Sequence, residues 1–148
     1  MSLHRAHVRW ERGSAPFRYE SYDRDHQWRF EGGVEVPASA APEYQGNPAR
    51  VDPEAALVAA VSSCHMLTFL AIAARKRFVV ERYEDAAVGT LEKDADGKLA
   101  VTKVVLRPRI VFGGEPPTAE QIEKLHETAH EHCFIANSVR TAIAVEPA

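Results

Sequence analysis

The order of the predicted elements along the chain indicates an α+β fold with antiparallel sheet. Strand-like segments come first, followed by a long helix, three further strands, a second helix and a closing strand. Helices and strands do not alternate singly, as they would in a βαβ fold with a parallel sheet. The length of 148 residues suits one domain, and we expect a single domain over 1–148.

The first third of the chain predicts short strands and a loop. Alternating polar and apolar side chains predict strands at 7–10, 17–20, 27–30 and 34–36. Gly13-Ser14 and Gly32-Gly33 mark turns between them. Prolines, a glycine and an asparagine between 37 and 53 predict an ordered surface loop.

A strong helix start follows this loop. Asp52 can cap the helix, Pro53 suits its first position, and Glu54 suits the positive end of the helix dipole. The run 55–74 is almost wholly apolar or small, which predicts a buried central helix. One thin sheet would not cover so apolar a helix. We therefore expect a homodimer with a shared core.

The second half of the chain predicts strands around another helix. Asp96-Gly97 is a hairpin signal, Pro108 marks a bulge or an edge position, and Thr118 with Gln121 forms a capping box. The predicted strands are 79–83 with a possible extension to 91, 99–106, 109–112 and 142–145, and the helix runs from the capping box to about 132 or 133.

Charge and N-terminal composition give no sign of a nucleic-acid or membrane partner. The net charge is −3, and basic residues are scattered. The N-terminus is polar and lacks the apolar region of a secretory signal. No uninterrupted apolar run of membrane-spanning length is evident. We expect a cytoplasmic protein that binds neither nucleic acid nor membranes.

The chain has only two cysteines, Cys64 and Cys133, and each lies in a segment that predicts helix. They are too far apart in sequence for a CxxC motif. If the fold brings them together, they form a dithiol that can be oxidised and reduced; otherwise they are two small buried side chains. In a cytoplasmic protein, a cysteine pair is more often catalytic or metal-binding than structural.

A reactive Cys64 thiolate needs a cation close by, because apolar surroundings disfavour the charged form. The neighbouring His65 points about 100° away around the helix. The charged loop at 23–26 is therefore the better source of that cation.

A metal site is a competing interpretation of the same residues. His126, His130 and Cys133 share one helical face, and Cys64 would complete a four-ligand zinc site. Against this, structural zinc sites draw on closely spaced cysteine pairs, and the histidines lack the glutamate of an HExxH motif. We therefore expect no metal and no cofactor.

Several motifs occur in an order that is typical of one family. They are Arg24, Asn47-Pro48, Asp52-Pro53-Glu54, the run 62–66 and the run 132–138. The most specific are Pro53-Glu54 ten residues before Cys64, and Cys133 followed by Asn137 and Ser138. On these motifs the chain resembles the OsmC/Ohr family of osmotically inducible and organic-hydroperoxide-resistance proteins. The resemblance covers nearly the whole chain, from about residue 24.

The resemblance implies an interlocked homodimer in which antiparallel sheets wrap around two long central helices. It also implies a thiol-dependent peroxidase that reduces organic hydroperoxides and is recycled by a dithiol, which we expect to be of the lipoyl type. By matching position, Cys64 would be the peroxidatic cysteine and Cys133 the resolving one. Glu54 would match the family's acid, and Arg24 its loop arginine. Met66, Phe69 and Phe134 would line the pocket for an organic peroxide.

Several alternatives stay open at this point. Arg18 or His26 could take the role given to Arg24. Glu54 and Cys64 would be about 15 Å apart in an unbroken helix, so Arg24, a helix break or the partner chain must connect them. The alternative functions are a non-turnover redox sensor or hydrophobic-ligand-binding protein on the same fold, and a Cys/His metal-binding protein.

Overall fold

The structure is a computed structural model that describes all residues, 1–148. Its contacts group the chain into two compact units, Met1–Ala56 and Leu57–Ala148. Each unit is described separately below. The single domain expected over 1–148 stays a prediction.

The first unit contains a three-stranded antiparallel sheet. Strands β1 (Ala6–Arg9), β2 (His26–Phe30) and β3 (Glu35–Ala38) lie in that order, with Val8 opposite Trp28 and Trp28 opposite Val36. The β2–β3 turn uses two glycines at positive φ, Gly32 at 88° and Gly33 at 87°, where other residues would be strained. A 3₁₀ turn follows at Pro42–Tyr44.

The strand predicted at 17–20 is wrong. The carbonyl of Arg18 accepts hydrogen bonds from the backbone N–H groups of Ser21 at 3.0 Å and Tyr22 at 2.9 Å, which closes a turn. The side chain of Ser21 also donates to the carbonyl of Pro16 at 2.7 Å. Alternating residues here serve a compact turn, since Phe17 packs its ring on Tyr22 at 5.3 Å instead of on a sheet face.

Helix α1 (Pro53–Arg75) starts where the sequence predicts. The side chain of Asp52 accepts a hydrogen bond from the backbone N–H of Ala55 at 2.8 Å. The chain leaves the helix through Arg77, which has a φ of 64°. Contrary to the expectation from sequence, α1 is long and apolar enough, by length and composition alone, to cross a membrane. Central helices of water-soluble domains share that property.

One face of α1 is buried in the single chain, and the opposite face is open. The buried residues recur every fourth position: Val61, His65, Phe69 and Ala73. The exposed residues on the other side are Ala60, Ser63, Leu67, Ala71 and Ala74.

The second unit contains two small sheets. Strands β4 (Val79–Asp85) and β7 (Pro108–Gly113) pair antiparallel. Strand β6 (Leu99–Leu106) lies between β5 (Val88–Lys93), which is antiparallel to it, and β8 (Ala142–Val145), which is parallel to it. The expectation of purely antiparallel sheet is therefore wrong for the β6–β8 pair, because β8 returns after a helical connection.

Helix α2 (Ala119–His132) has the predicted capping box. The backbone N–H of Gln121 donates to the Thr118 hydroxyl at 3.2 Å, and the backbone N–H of Thr118 donates to the Gln121 side chain at 2.8 Å. Two apolar clusters hold the unit together. One joins α1, α2 and the β4–β7 sheet through Phe69, Ala73, Leu125 and Ala129, and the other joins α1 to β6 through Val61, Val104 and Leu106.

Candidate functional site

The two cysteines meet within the second unit. Cys64 lies in the middle of α1 and is half-buried, while Cys133 caps the end of α2 and is 1% exposed. Both thiols are free, and Cys64 lies near enough to Cys133 to raise the pKa of the Cys133 thiol. Of the two arrangements that the sequence left open, the structure therefore has the adjacent dithiol.

The surroundings of Cys133 favour its protonated thiol. Burial raises the pKa of Cys133, the hydrogen bond from the backbone N–H of Ala136 at 3.4 Å lowers it, and the nearby Cys64 raises it further. Cys64 is also the more exposed of the two, so the arrangement distinguishes an accessible sulfur from a sheltered one.

The turn after α2 holds Cys133 in place. The backbone N–H of Asn137 donates to the Cys133 carbonyl at 3.0 Å, and the Asn137 side chain donates to the carbonyl of Glu131 at 3.3 Å. Ser138 donates its hydroxyl to the carbonyl of Phe134 at 2.7 Å. Asn137 and Ser138 thus stabilise the segment that presents the sulfur.

The four proposed zinc ligands are not assembled. No group of three or more His, Cys, Asp or Glu side chains is arranged to hold a metal ion. His126 instead lies beside His65, with Nδ1 of His126 3.0 Å from Nε2 of His65, and His130 is exposed. The helical spacing was compatible with a metal site, but a buried histidine from α1 occupies the position next to His126.

The two buried histidines are neutral at physiological pH. Burial lowers the pKa of His65 to about 4, with a further lowering by His126 and His130 and an opposing effect of Asp85. Burial also lowers the pKa of His126. One neutral ring therefore donates its N–H to a lone pair of the other.

Arg24 lies in the first unit, where its own loop holds it. The guanidinium donates hydrogen bonds to the backbone carbonyls of Tyr22 and Tyr19, both at 2.5 Å, and lies 3.6 Å from the centre of the Tyr22 ring. No carboxylate pairs with it. Arg24 is thus a fixed cation with no ion-pair partner.

Glu54 is half-buried in the first turn of α1 and does not pair with Arg24. Its carboxylate forms no ion pair in the chain. In the single chain, backbone carbonyls and not Glu54 hold the guanidinium of Arg24.

The other two candidates for the role of Arg24 differ from it. Arg18 is exposed and its side chain makes no ion pair. Nε2 of His26 accepts a hydrogen bond from the Trp28 indole at 3.1 Å, and Nδ1 lies 2.8 Å from the carbonyl of Arg24. Because both ring nitrogens of His26 are used, this residue supports the loop that carries Arg24.

An ion pair that the sequence analysis missed fixes the same loop. Arg50 Nε lies 3.1 Å from Asp25 Oδ2, and the two side chains are 28% and 25% exposed. The Asn47 side chain donates to the same carboxylate oxygen at 3.2 Å. No local spacing links residues so far apart in the chain, so the sequence carries no signal for this ion pair.

A pocket in the first unit surrounds Arg24 with aromatic rings. Its volume is about 470 Å³, and its lining includes Trp10, Phe17, Tyr22, Arg24 and His26. The three residues expected to line the peroxide pocket, Met66, Phe69 and Phe134, do not line this one. Phe69 is fully buried in the core against His126, and Phe134 is 80% exposed.

Sequence comparison assigns this chain to a family. The family model described as OsmC-like protein matches residues 46–148. An OsmC-like protein of unknown function from Vibrio cholerae is 52% identical, covers 100% of both chains and superimposes with a TM-score of 0.97. The chain belongs to the OsmC-like protein family. No curated protein matches it.

More distant solved structures share the fold. An organic hydroperoxide resistance protein OsmC from Legionella pneumophila is 17% identical, with a TM-score of 0.73 over 99% of this chain and 96% of that one. An organic hydroperoxide resistance protein from Elizabethkingia anophelis is 18% identical, with a TM-score of 0.74 over 99% of this chain and 94% of that one. The mixed α+β fold with two helices predicted from sequence is thereby confirmed.

Proposed function

We propose that this protein is a thiol-dependent peroxidase that reduces organic hydroperoxides to alcohols. The observation that carries the proposal is the proximity of the half-exposed Cys64 to the buried Cys133, seen in the effect of Cys64 on the pKa of Cys133. An accessible thiol beside a sheltered one is the arrangement that a two-cysteine peroxidase requires, and two solved structures of the same fold carry the name of organic hydroperoxide resistance.

The proposed reaction has three steps. The thiolate of Cys64 attacks the distal oxygen of the hydroperoxide, the O–O bond breaks, and the leaving alkoxide takes up a proton to become the alcohol. The Cys133 thiol then displaces hydroxide from the sulfenic acid of Cys64, which forms a disulfide and releases water. An external dithiol restores both thiols by exchange and is itself oxidised to a disulfide.

Arg24 is proposed as the cation that stabilises the Cys64 thiolate and polarises the peroxide. Its support is its matching position in the family and the lack of a carboxylate partner for its charge. Glu54 is proposed as the acid of the site, and its only support is its matching position in the family. Its unpaired carboxylate is free to meet Arg24 or a residue of a partner chain in the assembled protein.

An organic substrate fits the pocket around Arg24 better than hydrogen peroxide does. Trp10, Phe17 and Tyr22 supply apolar surface there, which favours a hydrocarbon group through the hydrophobic effect. Hydrogen peroxide would gain nothing from that surface.

The protein is proposed to work as an interlocked homodimer. The open face of α1 includes Leu67, which is 61% exposed, and Ala38 is the only buried residue in the strands of the three-stranded sheet of the first unit. A small sheet is only marginally stable in water when the rest of its chain covers neither of its faces. A second copy that covers both surfaces would supply the missing core.

We further propose a cytoplasmic location and a lipoyl-type dithiol as reductant.

Stopped-flow oxidation of the reduced protein tests this proposal. We expect fast loss of two thiols per chain with cumene hydroperoxide, slower loss with hydrogen peroxide, and no fast phase in Cys64→Ser. Oxidation no faster than that of a free thiol would contradict the peroxidase. Fast oxidation that no dithiol can reverse would instead support the redox-sensing alternative on the same fold.

A further inference from the structure

We propose that the hydrogen bond between His65 and His126 is a positioning contact, which holds the two cysteine-bearing helices at the separation where Cys64 and Cys133 react with each other. The inference rests on the proposed redox pairing of these two cysteines. It assigns His65 and His126 a role as positioning residues, since neither touches the peroxide in the proposed reaction.

The contact joins the same two helices that carry the cysteines. His65 follows Cys64 directly on α1, and His126 lies about two helical turns before Cys133 on α2. Nε2 of His65 is 3.0 Å from Nδ1 of His126, and the rings are nearly parallel, at 6°. It is the only hydrogen bond between side chains of α1 and α2.

Stability alone does not account for this pair. Nε2 of His126 is buried and forms no hydrogen bond within the chain, and neither does the hydroxyl of Tyr83. An unpaired buried polar atom destabilises a fold, and apolar side chains in place of both rings would avoid that cost. We therefore assign the pair the role of fixing the separation of α1 and α2.

Apolar packing and a hydrogen bond constrain two helices differently. Phe69 and Leu125 pack α1 against α2, but hydrophobic contact is not directional and allows small sliding. A hydrogen bond is directional and weakens steeply when its atoms separate. A disulfide tolerates only a narrow range of Cα separations, so sliding of α2 along α1 would hinder its formation.

A redox equilibrium measures this geometry without any peroxide. In a glutathione buffer, the protein dithiol reacts with oxidised glutathione to give the Cys64–Cys133 disulfide and two reduced glutathione molecules. We expect His126→Leu to lower the equilibrium constant at least tenfold, which corresponds to about 30 mV. His126→Asn, which retains a polar atom near the position of Nδ1, should stay within about threefold of wild type.

A matched control separates geometry from packing. Leu125→Val removes buried volume from the same helix contact and keeps the histidine hydrogen bond, so its equilibrium constant should match that of the wild type. If His126→Leu does not fold, His126→Phe keeps a ring against Phe69, and the same tenfold drop is expected. Thermal unfolding establishes that each variant is folded at the assay temperature.

Two results would overturn the inference: an unchanged equilibrium constant in the folded apolar variant, or an equal drop in Leu125→Val. The outcome is separable from that of the proposed function. A wild-type protein that forms the disulfide in glutathione but ignores peroxide would refute the peroxidase, while the variant series would still decide the role of the histidines.

Discussion

Cys133 is 1% exposed, yet it lies near enough to the half-exposed Cys64 for that residue to raise its pKa. The pair combines a half-exposed cysteine with a buried one. This asymmetry favours Cys64 as the peroxidatic cysteine and Cys133 as the resolving one in the proposed cycle.

Replacing Cys133 should stop the cycle after its first step. We expect Cys133→Ser to lose the Cys64 thiol to cumene hydroperoxide at a rate within about threefold of wild type, because Cys133 forms no bond in that step. The sulfenic acid should then accumulate, and turnover with a dithiol should fall at least tenfold. Trapping with dimedone followed by intact-mass measurement detects the intermediate. Equal turnover of mutant and wild type would show that Cys133 is not the resolving cysteine.

The buried histidines should make stability depend on pH below neutrality. The pKa of His65 is about 4 in the folded chain and about 6.5 unfolded. At pH values between these two, the unfolded state binds more protons than the folded state. The contribution of neutral His65 to the free energy of unfolding is therefore fully present above pH 6.5 and is lost as the pH falls towards 4. The full shift corresponds to roughly 3 kcal/mol.

Urea unfolding at several pH values between 4.5 and 7.5 measures this effect, with His65→Phe as the control. The variant should lose less stability than wild type over that range, because one of the groups that titrate differently in the two states is gone. Identical pH slopes for the two proteins would contradict a neutral buried His65.

Arg24 should control the reactivity of Cys64 in the proposed mechanism. A cation beside a thiol favours the thiolate. Loss of such a cation lowers the acid dissociation constant of the thiol by about tenfold or more. We expect Arg24→Gln to slow the oxidation of Cys64 by at least about tenfold at pH 7. Arg18→Gln is the matched control, since Arg18 lies in the same segment but is exposed. Equal effects of the two substitutions would show that Arg24 does not activate Cys64.

Leu67 should mark the proposed dimer interface. We expect Leu67→Glu to convert the protein from dimer to monomer in sedimentation equilibrium, because a carboxylate would be buried without a partner. Leu99→Glu provides a control of equal exposure, since both leucines are 61% exposed in the single chain. A dimer that tolerates Leu67→Glu, or a wild-type monomer, would contradict the proposed assembly.

The elements predicted correctly are those with local signals. Asp52 and Thr118 cap their helices through contacts with residues three positions away, and such contacts are encoded in short stretches of sequence. The wrong strand at 17–20 shows the limit of alternation, because Phe17 has an aromatic partner in Tyr22 that competes with sheet formation.

The contacts that sequence could not predict depend on residues far apart in the chain. Cys64 and Cys133 gave two possibilities, and only the packing of α1 on α2 selects the adjacent pair. The Asp25–Arg50 ion pair and the His65–His126 hydrogen bond have no local spacing that would indicate them. The parallel placement of β8 likewise follows from the path of the chain around α2.

The most direct test of the central claim is the identity of the oxidation product. The reduced protein is treated with one equivalent of cumene hydroperoxide per chain and digested without reduction, and its peptides are mapped by mass spectrometry. The account predicts one intramolecular disulfide between Cys64 and Cys133, with both thiols lost together. Disulfides between chains, or Cys64 oxidised while Cys133 stays free, would contradict it.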